Sequence, residues 1–156
     1  MNSTKKIIEY NRDRHKYLLK RSEKLEKQGK DIWIENQEEG FELTGYNIAI
    51  DDHIFWTRKK DFLLLMEKLI NNVIDFEEFE TAFTILHRKT SYDSDSLKLD
   101  WKRIEKIELN SRSDGFESFI TGIFRKFEEI EDEYSTEQDV KNFVKEVYFK
   151  IQNSEE

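Results

Sequence analysis

The stretch KLINNVIDFEEFETAF, residues 68–83, decides the fold because it combines a turn, a helix start and two distinct faces. Asp75, followed three residues later by Glu78, has the spacing of a capping box. Three phenylalanines recur after it at i, i+3 and i+7, so they share one buried helical face. The carboxylates between them project away from any apolar pocket that would raise a carboxylate pKa for acid–base catalysis. We therefore expect a packed helix with a solvated acidic face.

Amphipathic patterns of the same kind continue on both sides of this stretch. TSYDSDS and NSRSDG interrupt them as loops, and the spacing of Asp114 and Glu117 predicts a second cap. The apolar stripes include Val73 and Phe119. The predicted fold class is all-α: an antiparallel helical bundle of four to five helices with an N-terminal helical arm and an irregular aromatic-rich segment. The bundle helices are predicted at residues 58–73, 76–89, 95–109, 115–131 and 136–152.

Residues 1–57 differ from the rest and are predicted to extend a bundle domain of residues 58–156. Residues 1–30 hold ten Lys or Arg against four Asp or Glu, whereas the remaining chain holds sixteen against thirty. Residues 4–28 are predicted to form a polar helix with a thin apolar stripe, which favours an arm that packs on the body or on a partner; Gly29 suits its end. The arm residues predicted to bind a partner are Arg12, Arg14, Lys16, Lys20 and Arg21.

Residues 31–57 are dense in aromatic side chains. IWIE and NIAI alternate apolar and polar residues, and Gly40 and Gly45 punctuate the segment, so we expect irregular chain with two short strands. One interpretation is that the rings fix this segment to the helical body. The other is that they anchor a partner, because aromatic residues dominate binding hot spots. The rings concerned are Trp33, Phe41, Tyr46, Phe55 and Trp56.

Composition bounds the remaining possibilities. A chain of 156 residues is expected to form one domain with an extension. It has no cysteine, which excludes disulfides, thiolate catalysis and Cys-type zinc sites, and no proline to interrupt long helices. The longest apolar run, residues 62–66, is far too short to span a membrane, and no signal peptide is expected. Richness in Lys, Ile, Asn, Glu and Phe is typical of an AT-rich genome, which favours a bacterial or organellar source. Together with the lack of a predicted membrane span, this leads us to expect a soluble protein of a plastid stroma or a bacterial cytoplasm.

No pattern of catalytic residues is found. His15, His53 and His87 are scattered, without the Glu-x-x-His spacing of a di-iron bundle. DDH at residues 51–53 is a weak metal triad, because neighbouring residues of an extended chain point to opposite faces. DSDS at residues 93–96 begins like a calcium loop but lacks its central glycine and closing glutamate. We expect no enzyme, no metal and no cofactor.

Residues 61–152 resemble the colicin-immunity-like family of small helical proteins. The similar pieces are DFLLLMEKLINNVIDFEEFETAF, FITGIFRKFEEIEDEY and TEQDVKNFVKEVYFKI. The resemblance implies a helical fold without an active site, whose acidic surface covers the basic cleft of a nuclease toxin. It also implies similar reading frames in cyanobacteria and algal plastids. The acidic partner-binding candidates that it implies are Glu77, Glu78, Glu80, Glu128, Glu129, Glu131, Asp132 and Glu133.

Three functions follow as expectations. The first is a non-enzymatic accessory or linker subunit that docks through residues 1–57 onto a larger assembly, such as a photosynthetic or light-harvesting complex of a plastid or cyanobacterium. The second is an immunity protein that inhibits a basic nuclease through the acidic face. The third is a nucleic-acid or ribosome binder, in which the basic residues 1–30 follow a phosphate backbone. No membrane insertion is expected in any of them.

Overall fold

A computed structural model describes residues 9–154 of the chain, and this part is helical, without a strand. The all-α fold class predicted above is confirmed. A short 3₁₀ turn, Ser111–Ser113, precedes the seventh helix. No helix within residues 9–154 is long and apolar enough to cross a membrane. The helices are α1 (Arg12–Lys27), α2 (Ile32–Glu35), α3 (Gln37–Thr57), α4 (Lys59–Ile70), α5 (Phe76–Lys98), α6 (Trp101–Ile104), α7 (Phe116–Glu131) and α8 (Glu137–Asn153).

The chain divides into two units. The first unit comprises Met1–Ile50 and Ser96–Leu109, and the second comprises Asp51–Asp95 and Asn110–Glu156. This grouping differs from the predicted division at residue 57, because residues 96–109 pack with the N-terminal part of the chain. Each unit has its own hydrophobic core, as expected of an independently packed body.

The core of the second unit is rich in aromatic rings. The ring of Phe83 lies 5.4–5.7 Å from those of Phe62, Phe79 and Phe127. Edge-to-face and tilted pairs of this kind add to the stabilisation from burial itself. Helix α8 packs against both α4 and α7. The fully buried residues of this core include Phe62, Met66, Phe79, Phe83, Ile120, Ile123, Val140 and Val144.

The core of the first unit is smaller and includes a histidine. Leu18, Ile32, Leu43 and Tyr46 are buried together, and His15 is completely buried beside them. Helix α1, predicted as an arm, is therefore a packed element of the first unit over its described length. The expected helix start at residue 4 lies outside the described residues.

Several helix ends follow the predicted chemistry. Asp75 Oδ1 accepts a hydrogen bond from Glu78 N at 2.8 Å, which confirms the predicted cap of α5. Thr136 and Asp139 form a capping box at the start of α8. Gly29 has φ +71° and follows α1, and its N–H donates to Glu26 O, so the glycine closes the helix as expected.

The cap of α7 comes from a distant residue and not from Asp114. Asp52, which is 5 % exposed, accepts hydrogen bonds from Gly115 N and Glu117 N, both at 3.0 Å. A carboxylate at this position satisfies two N–H groups and complements the positive end of the helix dipole. The predicted cap was wrong because spacing within the sequence cannot reveal an acceptor from another helix.

The segment predicted to be irregular with two strands is helical. IWIE forms α2, and NIAI lies inside α3. Both glycines that suggested loops are tolerated within α3. At Gly40 the reason is a close contact, because a Cβ atom there would lie 2.7 Å from Cδ2 of Trp33. The prediction failed because four residues of alternation do not distinguish a strand from a short helix.

Two further predicted helix boundaries were wrong, and two residues predicted to lie on buried apolar stripes are exposed. TSYDSDS continues α5, where its side chains find partners: Ser94 donates to Asp51 at 2.6 Å. The helix predicted at residues 95–109 is reduced to α6. Val73 and Phe119 are 69 % and 42 % exposed. Val73 follows Asn72, whose φ of +58° ends the helix before the apolar stripe is complete.

Replacing Asp52 by alanine tests the long-range cap. We expect Asp52→Ala to lower the free energy of unfolding by about 1–3 kcal/mol, because two buried N–H groups lose their acceptor. Urea denaturation followed by circular dichroism measures the change. Asp114→Ala is the matched control, and it should stay within about 0.5 kcal/mol of the unsubstituted protein. Equal losses in both variants would contradict the assignment.

Candidate functional site

A shallow, open depression, which we call the α5 groove, lies on the outward face of the first half of α5. It has a volume of about 440 Å³. Because Phe79 and Phe83 fix the opposite face in the core, the acidic start of the helix and its apolar continuation face outward together. Ile85 in this groove is 63 % exposed. The groove is lined by Asp75, Glu77, Glu78, Thr81, Ala82 and Ile85.

A cluster of four carboxylates adjoins this groove; we call it the acidic cluster, and its members are Glu77, Glu80, Glu131 and Glu137. The pKa of Glu80 is raised, first by partial burial and then by the negative charges of Glu131, Glu137 and Glu77. Glu80 is half-buried, whereas Glu77 and Glu78 of the same face are exposed. Glu77 belongs to both the cluster and the groove, so the two form one acidic surface.

The acids of this surface differ in what they do for the fold. Glu77 and Glu137 lie in first turns, where a negative charge is favourable. Glu131 ends α7, and Asp132 is its C-cap, where a negative charge is unfavourable. Glu133 follows with φ +62°, a conformation that costs a side chain with a Cβ atom roughly 1 kcal/mol or more. Stability of the fold alone therefore does not account for Glu131, Asp132 and Glu133.

The remaining predicted acids have assignable positions. Glu78 caps α5. Glu128 is exposed. Glu129 forms an ion pair with Lys126, whose Nζ lies 3.1 Å from Glu129 Oε2. The structure thus brings together Glu77, Glu80 and Glu131 from the two predicted groups and adds Glu137, which the sequence interpretation missed. Glu137 directly follows Thr136, which the structure shows to be the N-cap of α8.

Most predicted basic residues of α1 are engaged within the first unit. Arg12 donates to the carbonyl oxygens of Glu105 and Ile107. Arg14 Nε lies 2.7 Å from Glu42 Oε2, and Arg21 Nε lies 2.8 Å from Glu39 Oε1. Lys16 lies over the ring of Trp101 at 5.8 Å. Lys20 is exposed. Four of the five side chains therefore pack α1 onto its own unit.

The predicted aromatic anchors separate into buried and exposed rings. Tyr46 and Phe55 are 4 % and 2 % exposed. Trp56 is half-buried and lies 5.4 Å from Phe116. Trp33 and Phe41 are 40 % and 56 % exposed and pack edge to face at 4.7 Å. Of the five rings, only this pair combines a fixed mutual geometry with wide exposure.

The histidines make internal contacts. In the first unit, His15 Nε2 lies 3.1 Å from Asn47 Oδ1 and Nδ1 lies 2.8 Å from Tyr10 Oη. Because Oδ1 can only accept, neutral His15 carries its proton on Nε2 and accepts from Tyr10. Burial lowers its pKa, although the bond to Asn47 acts in the opposite direction. Burial likewise lowers the pKa of His53.

A short hydrogen-bonded chain surrounds His87 in the second unit. Its Nε2 lies 3.1 Å from Thr121 Oγ1, which donates to Glu117 Oε1 at 2.5 Å. The carboxylate contacts the hydroxyl group and not the imidazole, which is the reverse of a nucleophilic triad. Burial lowers the pKa of His87, and the ring stacks on Phe124 at 4.7 Å. This arrangement stabilises α7 against α5.

Metal-ligating side chains do not converge within residues 9–154, where no group of three His, Cys, Asp or Glu residues could hold an ion. In DDH, Asp51 accepts from Ser94 and Asp52 caps α7. In DSDS, Asp93 pairs with Arg58 inside a helix. Both weak motifs therefore have structural partners.

Glycine at position 133 should stabilise the fold. We expect Glu133→Gly to raise the free energy of unfolding by about 0.5–1 kcal/mol, because glycine adopts φ +62° without a Cβ clash. Urea denaturation measures the gain. Glu133→Gln removes the charge but keeps the Cβ atom, so it separates the electrostatic part from the conformational part. A loss of stability in the glycine variant would refute the strain.

The buried His15 should make the stability of the first unit depend on pH. Its folded pKa lies below the ordinary 6.5, so its contribution is complete above that pH and is lost as the pH falls below it. NMR titration of the ring protons should give a midpoint below 6.5. Asn47→Asp should raise this midpoint by about one unit or more, because a carboxylate then faces the imidazolium. His87 is the internal control, since Asn47 belongs to the other unit. An unchanged His15 midpoint would contradict the assigned contact.

Comparison with known proteins adds no relative from which function could be transferred. The chain matched no protein-family model, no curated protein and no solved structure. The resemblance to colicin-immunity-like proteins therefore stays a prediction that rests on the quoted stretches. The geometry and charge of the described residues are what bear on function.

Proposed function

We propose that this protein is a non-enzymatic protein-binding module that holds a basic protein partner on the acidic surface of its second unit. The surface consists of the α5 groove and the acidic cluster. The observation that carries the proposal is the α5 groove, which has carboxylates at one end and the half-buried Ala82 and the exposed Ile85 at the other. A specific interface combines an apolar centre with a polar rim, and Ala82 and Ile85 would lie at the centre with the carboxylates at the rim.

The charge of the second unit supports a basic partner. Its described residues include twenty Asp or Glu against twelve Lys or Arg, whereas those of the first unit are balanced at twelve each. The excess is concentrated at the start of α5, the end of α7 and the start of α8. A surface of one sign steers an oppositely charged partner and accelerates association.

The cost of these charges also supports binding. Glu131, Asp132 and Glu133 lie where a helix dipole and the backbone conformation disfavour them, and the cluster raises the pKa of Glu80. Charges that work against the fold are characteristic of functional surfaces. A basic partner would relieve this repulsion. The same charges would then stabilise the complex although they destabilise the free fold.

Binding without catalysis is consistent with the internal contacts of the polar groups. His15 and His87 are hydrogen-bonded inside their units, and Asp52 is the cap of α7. None of these groups faces the α5 groove or the acidic cluster. A basic nuclease, as implied by the colicin-immunity-like resemblance, is one partner with the required charge.

The exposed Trp33–Phe41 pair favours a second candidate function, docking of the first unit onto a larger assembly. A rigid, exposed aromatic pair is the type of side chain that dominates hot spots. This candidate retains the accessory-subunit hypothesis, with a photosynthetic complex of a plastid as one such assembly. It differs from the first candidate because the acidic surface would be dispensable.

Co-purification with matched charge variants tests the proposal. The full chain is tagged and captured from nuclease-treated bacterial or plastid lysate, and its partners are identified by mass spectrometry. We expect a basic protein whose recovery falls about tenfold or more in Glu77→Gln/Glu80→Gln/Glu131→Gln, since three attractive charges are lost. Thermal unfolding should show that this variant stays within about 0.5 kcal/mol of the original, because the lost helix-dipole contribution of Glu77 opposes the relief of repulsion at Glu80 and Glu131.

The control variant carries the same loss of charge elsewhere on the second unit. Asp61→Asn/Glu67→Gln/Glu146→Gln changes exposed residues of α4 and α8 and should retain the partner. Equal recovery with both variants, together with loss in Trp33→Ala/Phe41→Ala, would favour docking of the first unit instead. Recovery that depends on omitting the nuclease treatment would point to nucleic acid and overturn the proposal.

A further inference from the structure

A half-enclosed cleft lies between α1 and α3 in the first unit. Its volume is about 280 Å³, close to the lower end of the range for small-molecule sites, about 300 Å³. The turn between α1 and α2 closes one end. The lining residues are Ser22, Glu26, Lys30, Asp31, Ile32, Trp33, Leu43, Thr44 and Asn47. A ligand about the size of an amino acid fits this volume.

The cleft has an apolar floor and a fixed aromatic edge. Ile32 and Leu43 are 6 % and 7 % exposed, so they form part of the core and offer only a small apolar surface. Trp33 packs directly on the backbone at Gly40 and against the edge of Phe41. Because these contacts fix the indole, little ordering is needed when a ligand meets it.

Two polar side chains of the lining each have one oxygen already hydrogen-bonded within the unit, which determines the donors and acceptors left for a ligand. The Oδ1 atom of Asn47 lies 3.1 Å from His15 Nε2, so its two amide N–H donors remain for the cleft. Oδ1 of Asp31 accepts from Trp33 N at 2.8 Å, which leaves the other carboxylate oxygen available. The interior of the first unit therefore orients two of the polar side chains that line the cleft.

Unpaired charges of both signs line the same cleft. Glu26 lies in the last turn of α1 and Lys30 lies three residues beyond its end; both side chains are exposed, and neither forms an ion pair with a described residue. A ligand with one negative and one positive group would satisfy both at once. Charge-assisted hydrogen bonds of this kind are the strong ones.

We propose that the α1–α3 cleft binds a free α-amino acid with an apolar side chain. Lys30 and the Asn47 amide contact its carboxylate, and Glu26 contacts its ammonium group. The side chain lies on Ile32 and Leu43 beside Trp33. No bond forms or breaks. This site is independent of the acidic surface, so either proposal can fail without the other.

NMR titration of the ¹⁵N-labelled full chain with chemically matched ligands tests the site. L-Leucine and L-phenylalanine, added into the millimolar range, should shift the backbone amides of Lys30, Thr44 and Asn47. N-acetyl-L-leucine lacks the ammonium group and L-leucinamide lacks the carboxylate. Each should bind about tenfold more weakly, because one charge-assisted contact is lost. Resonances of the second unit serve as the internal reference.

Two pairs of variants complete the test. Glu26→Gln and Lys30→Gln should each raise the Kd for L-leucine about tenfold. Glu23→Gln and Lys24→Gln make the same changes at exposed positions of α1 outside the cleft and should leave the Kd unchanged. Absence of shifts with either amino acid, or equal binding of the acetylated and amidated ligands, would overturn the proposal.

Discussion

The packing of Phe83 is the constraint on which the second unit depends. Its ring contacts rings from α4, α5 and α7, and it is completely buried. Because a helix has only one face opposite its core face, this packing determines that Glu77, Thr81 and Ile85 point outward. The α5 groove therefore lies on the helix face opposite the aromatic core. A sequence that places phenylalanines on one face and carboxylates on the other specifies both the fold and the surface that it presents.

The helices of the second unit were the most predictable part of the chain, because apolar periodicity and caps such as Asp75 are local signals. Most of the failures came from tertiary contacts, whereas the strands wrongly predicted for IWIE and NIAI came from an ambiguous local pattern. Asp52 caps a helix more than sixty residues further along the chain. The polar end of α5 is supported by the bonds of Ser94 with Asp51 and of Thr90 with Arg58. Helix α3 contains Gly40 because Trp33 occupies the space of a Cβ atom. None of these contacts leaves a pattern in the local sequence.

The sequence predicted the acidic character of the candidate site but not all of the residues that form it. Acidity of the α5 face followed from the spacing of its phenylalanines, whereas the approach of Glu131 and Glu137 to Glu80 required the arrangement of three helices. Among the aromatic residues, the sequence could not separate buried Tyr46 from exposed Phe41, since both belong to the same helix and differ only in the face they occupy. Composition gave the charge balance of α1, but only the structure shows that its arginines are already paired.

The discontinuity of the first unit has a consequence for protein synthesis. His15 lies 5.8 Å from Trp101, yet Asp51–Asp95, a part of the second unit, is translated between the two. Because the chain leaves the ribosome N-terminus first, α1 and α3 cannot complete their packing until residue 109 has emerged. During that interval the hydrophobic surface around His15 lacks its final aromatic neighbour, Trp101, and stays incompletely covered. The time needed to translate residues 51–109 is therefore the shortest time for which this incomplete nascent state persists.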